Sequence, residues 1–338
     1  MFKYYIRYTK ILFIVLVCLG YKLNAQCVVK TVSLGNFNTV SGKQIKNCII
    51  GYSTIGKLNA DKSNVVLWPT WIAGKSEEIC KEMAPLLMDT AGLYIIVVDA
   101  FGNGISSSPS NNSSFPEITI RDMVNSQHEL LTKYLNINHL KILMGVSMGG
   151  LQVMEWLVSY PAFAANAISI VGSPKLSAYD LMFWKTQAAL FSMPTKDEKS
   201  KELALRMASN VFLLNKYTPS YWLHDIKQEK VDSIVLAVQT DILKKIKPDD
   251  WLSQVKAILT QDIYKSSGKA IDDMKQQITA KTLMVVCKSD YIVNPQSSVD
   301  LAKAIGSTLL ELNNDCGHTG FMCDQPLVKE TVINFLRL

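Results

Sequence analysis

The six residues at 145–150, Gly-Val-Ser-Met-Gly-Gly, constrain the fold of this chain more than any other segment. A strand pattern, Lys-Ile-Leu-Met, precedes them at 141–144, and apolar residues at helical spacing follow over 149–159. Gly145 and Gly149 permit the close approach of a strand and a helix, so the pattern predicts a sharp turn with Ser147 at its tip. A serine held there, at the N-terminus of a helix, is a candidate nucleophile.

Strand patterns alternate with helical patterns on both sides of this turn, which favours a parallel sheet covered by helices on both faces. The strand patterns are nearly continuous in apolar residues, as expected for strands that are buried on both faces. They span 29–34, 48–55, 64–68, 94–98, 140–144, 167–171, 282–287 and 307–312, of which the first two are predicted to pair antiparallel. Predicted helices include 77–88, 120–134, 149–159 and a closing helix at 327–336.

The pattern changes between Pro174 and Ala280, where helical periodicity and charged runs replace the strands. A helical insertion between two strands predicts a cap over the carboxyl edge of the sheet, where open α/β proteins bind ligands. We therefore predict an α/β fold with a core at 26–173 and 281–338 and a helical cap at 174–280, inserted before the penultimate strand.

Residues 1–25 have the composition of a secretory signal peptide. Four cations and no acid flank an apolar run at 11–20, and Ala25 offers a small residue for cleavage. The alternative, an uncleaved membrane anchor, needs about 20 apolar residues, more than this run contains. These cations carry +4 of the formal net charge of +6, so the rest of the chain has no basic excess that would indicate a nucleic-acid partner. We expect an exported protein, periplasmic or secreted, with no stable membrane insertion after cleavage.

Export would place the cysteines in an oxidising compartment, where disulfides form. The pairing Cys27–Cys48 would join two neighbouring N-terminal strands, and Cys316–Cys323 would brace one loop. Six cysteines allow fifteen pairings, and unpaired buried thiols are the alternative. No Cys-x-x-Cys or His-x-x-His spacing occurs, so we expect no metal, and no motif implies an organic cofactor. The cysteines that follow the predicted signal peptide are Cys27, Cys48, Cys80, Cys287, Cys316 and Cys323.

A nucleophilic serine requires a base and an acid that orients the base. Asp290 follows the predicted strand at 282–287 and His318 follows the one at 307–312, so both are expected at the carboxyl edge of the sheet with Ser147. We predict a catalytic triad of Ser147, His318 and Asp290. Asp315 and Asp324 are the alternative acids, but they lie on the same loop as the histidine.

A tetrahedral intermediate on the serine needs two N–H donors for its oxyanion. The backbone N–H of Met148, at the helix start, is the first predicted donor. The second is expected in the loop at 69–74, where Pro69 has no N–H to give. Trp71 is the leading candidate for this backbone donor, and Thr70 is the alternative.

These motifs resemble the homoserine O-acetyltransferase-like branch of the α/β-hydrolase fold superfamily. The resemblance rests on Arg-Asp-Met-Val at 121–124, Gly-Val-Ser-Met-Gly-Gly-Leu-Gln at 145–152, Lys-Ser-Asp at 288–290 and Gly-His at 317–318. It implies an α/β-hydrolase fold with a helical cap, and an acyl-enzyme on Ser147 with Asp290 as acid and His318 as base. It also implies a homodimer formed through the caps.

The chain departs from the resembled transferases at two positions that would bind an amino-acid acceptor. Those enzymes follow the catalytic Gly-His with Asp and carry an Arg in the first cap helix, whereas this chain has Thr319 and only Lys185. Losing a charged partner of a zwitterionic ligand should cost about 1.5–3 kcal/mol of binding free energy. We therefore expect an exported serine hydrolase that cleaves a small-molecule ester or related acyl bond. The alternatives are an acyltransferase like homoserine O-acetyltransferase and a catalytically silent binding protein on the same fold.

Overall fold

A computed structural model describes residues 27–192 and 197–337, so the predicted signal peptide at 1–25 lies outside the described residues. Within the described ranges, eight strands form one sheet in the order β1-β2-β4-β3-β5-β6-β7-β8. Strands β1 and β2 pair antiparallel, as do β2 and β4, and every other neighbouring pair is parallel. The strands are β1 (Lys30–Asn38), β2 (Gln44–Ile55), β3 (Val65–Pro69), β4 (Tyr94–Val98), β5 (Leu140–Val146), β6 (Ala164–Ile170), β7 (Lys281–Cys287) and β8 (Thr308–Leu312).

Helices connect these strands, and the described part of the insertion between β6 and β7 is helical. The helices of the first half are α1 (Ser76–Glu78), α2 (Ala84–Leu87), α3 (Ile120–Glu129) and α4 (Met148–Ser159). Two π-helical segments follow α1 and α3, at Ile79–Met83 and Leu130–Tyr134. Those of the insertion are α5 (Ala178–Ala189), α6 (Glu198–Lys216), α7 (Pro219–Asp225), α8 (Val231–Lys245), α9 (Pro248–Ile258), α10 (Ile263–Ser267) and α11 (Met274–Gln277). The last are α12 (Gln296–Ile305), α13 (Gly320–Cys323) and α14 (Gln325–Arg337).

The apolar strands divide their side chains between two cores, one on each face of the sheet. In β3, Val65 and Leu67 join one core, while Val66 and Trp68 join the other, because successive side chains of a strand point to opposite faces. Helices α3, α4 and α9 contribute to the first core, and α14 contributes to the second. The mostly parallel sheet with helices on both faces that the sequence predicts is thereby confirmed.

The predicted Cys27–Cys48 disulfide is wrong, because Cys27 is bonded to Cys80. Cys27 and Cys80 belong to the same core, whereas the Cys48 side chain lies in the core on the opposite face of the sheet. The structure joins Cys316 to Cys323, the other pairing that the sequence suggested. Among the described residues, Cys48 and Cys287 are buried free thiols, and burial raises the pKa of each to about 12.

Within residues 27–192 and 197–337, no helix combines the length and the apolar character needed to cross a bilayer.

Candidate active site

Ser147 lies at the turn between β5 and α4 in a backbone conformation that few serines adopt. Its φ of 55° and ψ of −123° put it outside the regions that ordinary residues favour, at a cost of about 1–3 kcal/mol. A Cβ on Gly145 would lie 2.3 Å from the Gly149 carbonyl oxygen, and a Cβ on Gly149 would lie 2.5 Å from the Pro69 oxygen. The two glycines are therefore required by the close passage of α4 over β5 and β3, as the sequence predicts.

The three predicted triad residues form one hydrogen-bonded chain. The Nε2 atom of His318 is 2.8 Å from the Ser147 Oγ atom, and its Nδ1 atom is 2.7 Å from Asp290 Oδ2. All three are buried, with Ser147 8%, His318 5% and Asp290 3% exposed. Because an ionised carboxylate only accepts, Nδ1 carries the proton and Nε2 accepts from the serine hydroxyl. Ser147 is thus hydrogen-bonded to a base in the orientation that activates it.

Asp290 is held by the backbone that follows β7. Its Oδ1 atom accepts hydrogen bonds from the N–H groups of Ile292 and Val293, at 2.8 and 2.9 Å. The next residue, Asn294, donates its N–H to Asp180, which caps the start of α5. Burial raises the pKa of Asp180. These contacts fix Asp290 so that its second oxygen faces the histidine.

The two alternative acids have other partners. Asp315 accepts a hydrogen bond from the Ser220 hydroxyl at 2.8 Å, and Asp324 accepts one from the Asn314 amide at 2.7 Å. Neither is hydrogen-bonded to His318, whose carboxylate partner is Asp290.

The segment that carries His318 is braced from two sides. Gly317 has a φ of +55°, and a Cβ there would lie 2.6 Å from the Lys216 carbonyl oxygen at the end of α6. The Cys316–Cys323 disulfide closes the same segment. The Thr218 hydroxyl donates to the Asp315 carbonyl at 2.9 Å, so the insertion contacts the histidine segment directly.

The backbone N–H groups of Met148, which follows Ser147 in the chain, and of Trp71 have no acceptor among the described residues. Met148 is the first residue of α4, so its N–H has no partner within the helix. In the loop after β3, the Thr70 N–H donates to the Val98 carbonyl at 3.0 Å and is therefore occupied, which excludes the alternative donor. Among the described residues, no group accepts a hydrogen bond from the Trp71 N–H. The geometry favours Met148 and Trp71, the leading sequence candidates.

A family model described as the alpha/beta hydrolase fold matches residues 64–324. The chain belongs to the α/β-hydrolase family. Its order of candidate residues along the chain, Ser147, Asp290 and His318, is the order that this fold uses.

Relatives of this α/β hydrolase include both hydrolases and transferases. It is 27% identical over 313 residues to an ethyl acetate hydrolase from Pseudomonas veronii, covering 86% of this chain and 88% of that protein. It is also 27% identical over 346 residues to a homoserine O-acetyltransferase from Methanosalsum zhilinae, covering 88% of this chain and 70% of that one. The structure of an acetylester hydrolase from Corynebacterium glutamicum superposes with a TM-score of 0.83 at 23% identity, covering 92% of this chain and 96% of that chain.

A cavity of about 550 Å³ opens above Ser147 and His318 in this α/β hydrolase. Its walls are mostly apolar and come from the core and from the insertion helices α6, α8 and α9. At one side, the Lys245 ammonium lies 3.4 Å from Glu78 and 3.3 Å from Asp241, so an ion-paired group links the insertion to α1. The remaining lining includes Trp71, Met83, Phe212, Ile242, Trp251 and Phe321.

The two positions at which the sequence departs from the resembled transferases lie differently with respect to this cavity. Thr319 lines it and brings no charge, whereas Lys185 is exposed on α5 and is not part of the lining. The lysines that line the cavity are Lys216 and Lys245 of the insertion, at positions other than the one the resemblance implies.

Two buried glutamines that hydrogen-bond to the 69–74 loop were not predicted. Gln254 of α9 accepts from the Ala73 N–H at 2.8 Å and donates to the Phe101 carbonyl at 3.1 Å, and Gln152 of α4 donates to the Thr70 carbonyl at 3.0 Å. The only signal in the sequence was a polar residue within an otherwise apolar helical pattern, which does not reveal its partners.

Proposed function

We propose that the protein is a serine esterase that transfers the acyl group of a carboxylic ester to water through an acyl-enzyme on Ser147. One observation carries this proposal: the buried Asp290–His318–Ser147 chain, with contacts of 2.7 and 2.8 Å, lies at the base of a mostly apolar cavity. Met148 follows Ser147 in the chain and Trp71 lines the same cavity as Ser147, which supports their N–H groups as the proposed oxyanion donors.

The proposed reaction uses each of these groups in turn. His318 Nε2 takes the hydroxyl proton while the Ser147 Oγ atom bonds to the acyl carbon, and the N–H groups hold the oxyanion. The histidine then gives that proton to the departing alcohol, which leaves an ester on Ser147. A water molecule, deprotonated by His318, attacks this ester, and the carboxylic acid departs as the serine regains its proton. Asp290 holds the imidazole in the required tautomer throughout.

The substrate proposal rests on the relatives and on the cavity. The hydrolase from Pseudomonas veronii is named for ethyl acetate, which favours short acyl groups as substrates here. Apolar walls favour an uncharged ester, because an unpaired charge would lose its hydration there. We therefore propose acetyl esters of apolar alcohols as the substrate class.

Acyl transfer to an alcohol is the second candidate, favoured by the similarity to the homoserine O-acetyltransferase from Methanosalsum zhilinae. Hydrolysis is preferred because Thr319 and the exposed Lys185 leave the amino-acid acceptor without the charged partners that the resemblance implies.

Export is also proposed. The two disulfides, Cys27–Cys80 and Cys316–Cys323, support an oxidising compartment. The expected signal peptide at 1–25 agrees with this. Cell fractionation with antibody detection tests it, and a reduced protein confined to the cytoplasm would contradict it.

The esterase proposal is tested with a fluorophosphonate probe and an aryl acetate. We expect the probe to modify Ser147, and Ser147→Ala to lower aryl acetate turnover by about 10³-fold or more. Ser126→Ala is the matched control, because Ser126 is also buried but bonds only its own helix, through the Met123 carbonyl. Labelling of another serine, or turnover that survives in Ser147→Ala, would contradict the proposal.

A further inference from the structure

Gln152 contacts the peptide that carries the Trp71 N–H. Its Nε2 group donates to the Thr70 carbonyl at 3.0 Å and to the Met148 carbonyl at 3.1 Å, and the side chain is fully buried. The Thr70 carbonyl and the Trp71 N–H belong to one peptide unit, and in a trans peptide these two groups point in opposite directions. The hydrogen bond from Gln152 therefore fixes the direction in which the Trp71 N–H points, away from the glutamine.

The orientation of the Gln152 amide is itself determined by a chain of buried groups. Its Oε1 atom accepts from the Gln127 amide at 2.6 Å, and Gln127 in turn accepts from the Trp156 indole N–H at 2.8 Å. An indole N–H can only donate and a backbone carbonyl can only accept. Because the Trp156 indole donates at one end of this hydrogen-bonded series and backbone carbonyls accept at the other, each glutamine amide has one possible orientation. Gln152 must therefore present its NH₂ group to the Thr70 carbonyl.

We propose that Gln152 is a positioning residue for the oxyanion hole, which it serves by aiming the Trp71 N–H at the oxyanion that forms on Ser147. The inference rests on the proposed function. Oxyanion donors act only when they are aimed in advance at the place where charge develops. A misdirected donor destabilises the transition state more than it destabilises the bound ester. The replacement should therefore lower kcat and leave KM nearly unchanged.

Gln261 provides a matched control for ordinary core packing. It is also buried, at 3% exposure, and its Nε2 group donates to the Ser173 carbonyl at 3.0 Å and the Leu151 carbonyl at 3.3 Å. Its hydrogen bonds are to residues outside the 69–74 loop, so its replacement should destabilise the fold without moving the Trp71 N–H.

The test compares Gln152→Met, Gln127→Met and Gln261→Met. For Gln152→Met we expect kcat on an aryl acetate to fall about 10- to 100-fold while KM changes less than about threefold. Affinity for a trifluoromethyl ketone, which forms a tetrahedral oxyanion with the serine, should fall by a similar factor. Gln127→Met, which keeps Gln152 but frees its amide, should show a smaller loss of the same kind. Gln261→Met should keep wild-type kcat.

Each outcome decides the proposal. Equal losses of kcat in Gln152→Met and Gln261→Met, or ketone affinity that is unchanged in Gln152→Met, would show that Gln152 only packs the core. If Gln152→Met does not fold, Gln127→Met and the ketone measurement decide in its place. Failure of the proposed function gives a different result, since Ser147→Ala would then retain activity while the wild type would form no adduct with the ketone.

Discussion

Replacing Asp290 by asparagine should disable His318 without removing any side chain from the site. Asp290 accepts three hydrogen bonds, from the Ile292 and Val293 N–H groups on one oxygen and from His318 Nδ1 on the other. An asparagine has a single acceptor oxygen, and two backbone donors compete for it against one imidazole. The amide NH₂ group therefore turns toward His318.

That orientation produces the wrong tautomer of the histidine. Facing an NH₂ group, Nδ1 must accept, so the proton moves to Nε2, which can no longer take the Ser147 proton. Restoring the active tautomer would require the asparagine to turn its NH₂ group toward two buried N–H donors. Leaving two such groups unpaired costs about 2–6 kcal/mol, or roughly a 10³-fold loss at the middle of that range.

The assay is aryl acetate hydrolysis followed by absorbance, with folding checked by circular dichroism. We expect Asp290→Asn to lose about 10³- to 10⁴-fold in kcat with little change in KM. Asp315→Asn is the matched control, because Asp315 lies near His318 in the sequence but bonds Ser220. Retention of more than about a tenth of wild-type kcat in Asp290→Asn, or an equal loss in Asp315→Asn, would refute the reasoning.

Four further predictions concern the two disulfides, a thiol and the cavity. Removing the Cys27–Cys80 bond, with its sequence separation of 53, should lower the free energy of unfolding, measured by urea titration, by about 4 kcal/mol. The kcat of the folded variant should stay at the wild-type value. Removing Cys316–Cys323, with a separation of 7, should cost about 2.5 kcal/mol and also lower kcat, since it frees the His318 segment; unchanged kcat would argue against that bracing. Because burial raises the Cys48 pKa to about 12, the group stays a protonated thiol at pH 8 and should react with iodoacetamide only after unfolding, as mass spectrometry would show. In a series of acetates from ethyl to hexyl, kcat/KM should rise about fourfold per methylene as the alcohol chain fills the apolar cavity. Equal kcat/KM across the series would show that the alcohol chain does not bind in the cavity.

The sequence was most informative where local chemistry and topology coincide. Ser147, Asp290 and His318 each follow a strand pattern, and because parallel strands end at one edge of the sheet, their proximity could be predicted. The choice between Trp71 and Thr70 could not be made locally, since it depends on the hydrogen bond from the Thr70 N–H to Val98 in a neighbouring segment.

Other features depended on facts that periodicity does not contain. The Cys27–Cys48 pairing was wrong because Cys27 lies before β1, where the alternation of strand side chains does not assign it to a face, and it packs into the core opposite to that of Cys48. Helix α12 was not predicted, although Pro295 precedes it and Gly306 ends it in a left-handed conformation. The role of Gln152 could not be predicted, because it depends on Gln127 and on a carbonyl 82 residues away along the chain.

The fate of the acyl group tests the central claim most directly. The protein is given an aryl acetate with and without excess homoserine, with Ser147→Ala as the blank, and the products are identified by mass spectrometry. We predict acetate as the product in both mixtures, formed only when Ser147 is present. O-acetylhomoserine as the main product, or acetate formed equally by Ser147→Ala, would contradict the account of a Ser147-dependent esterase.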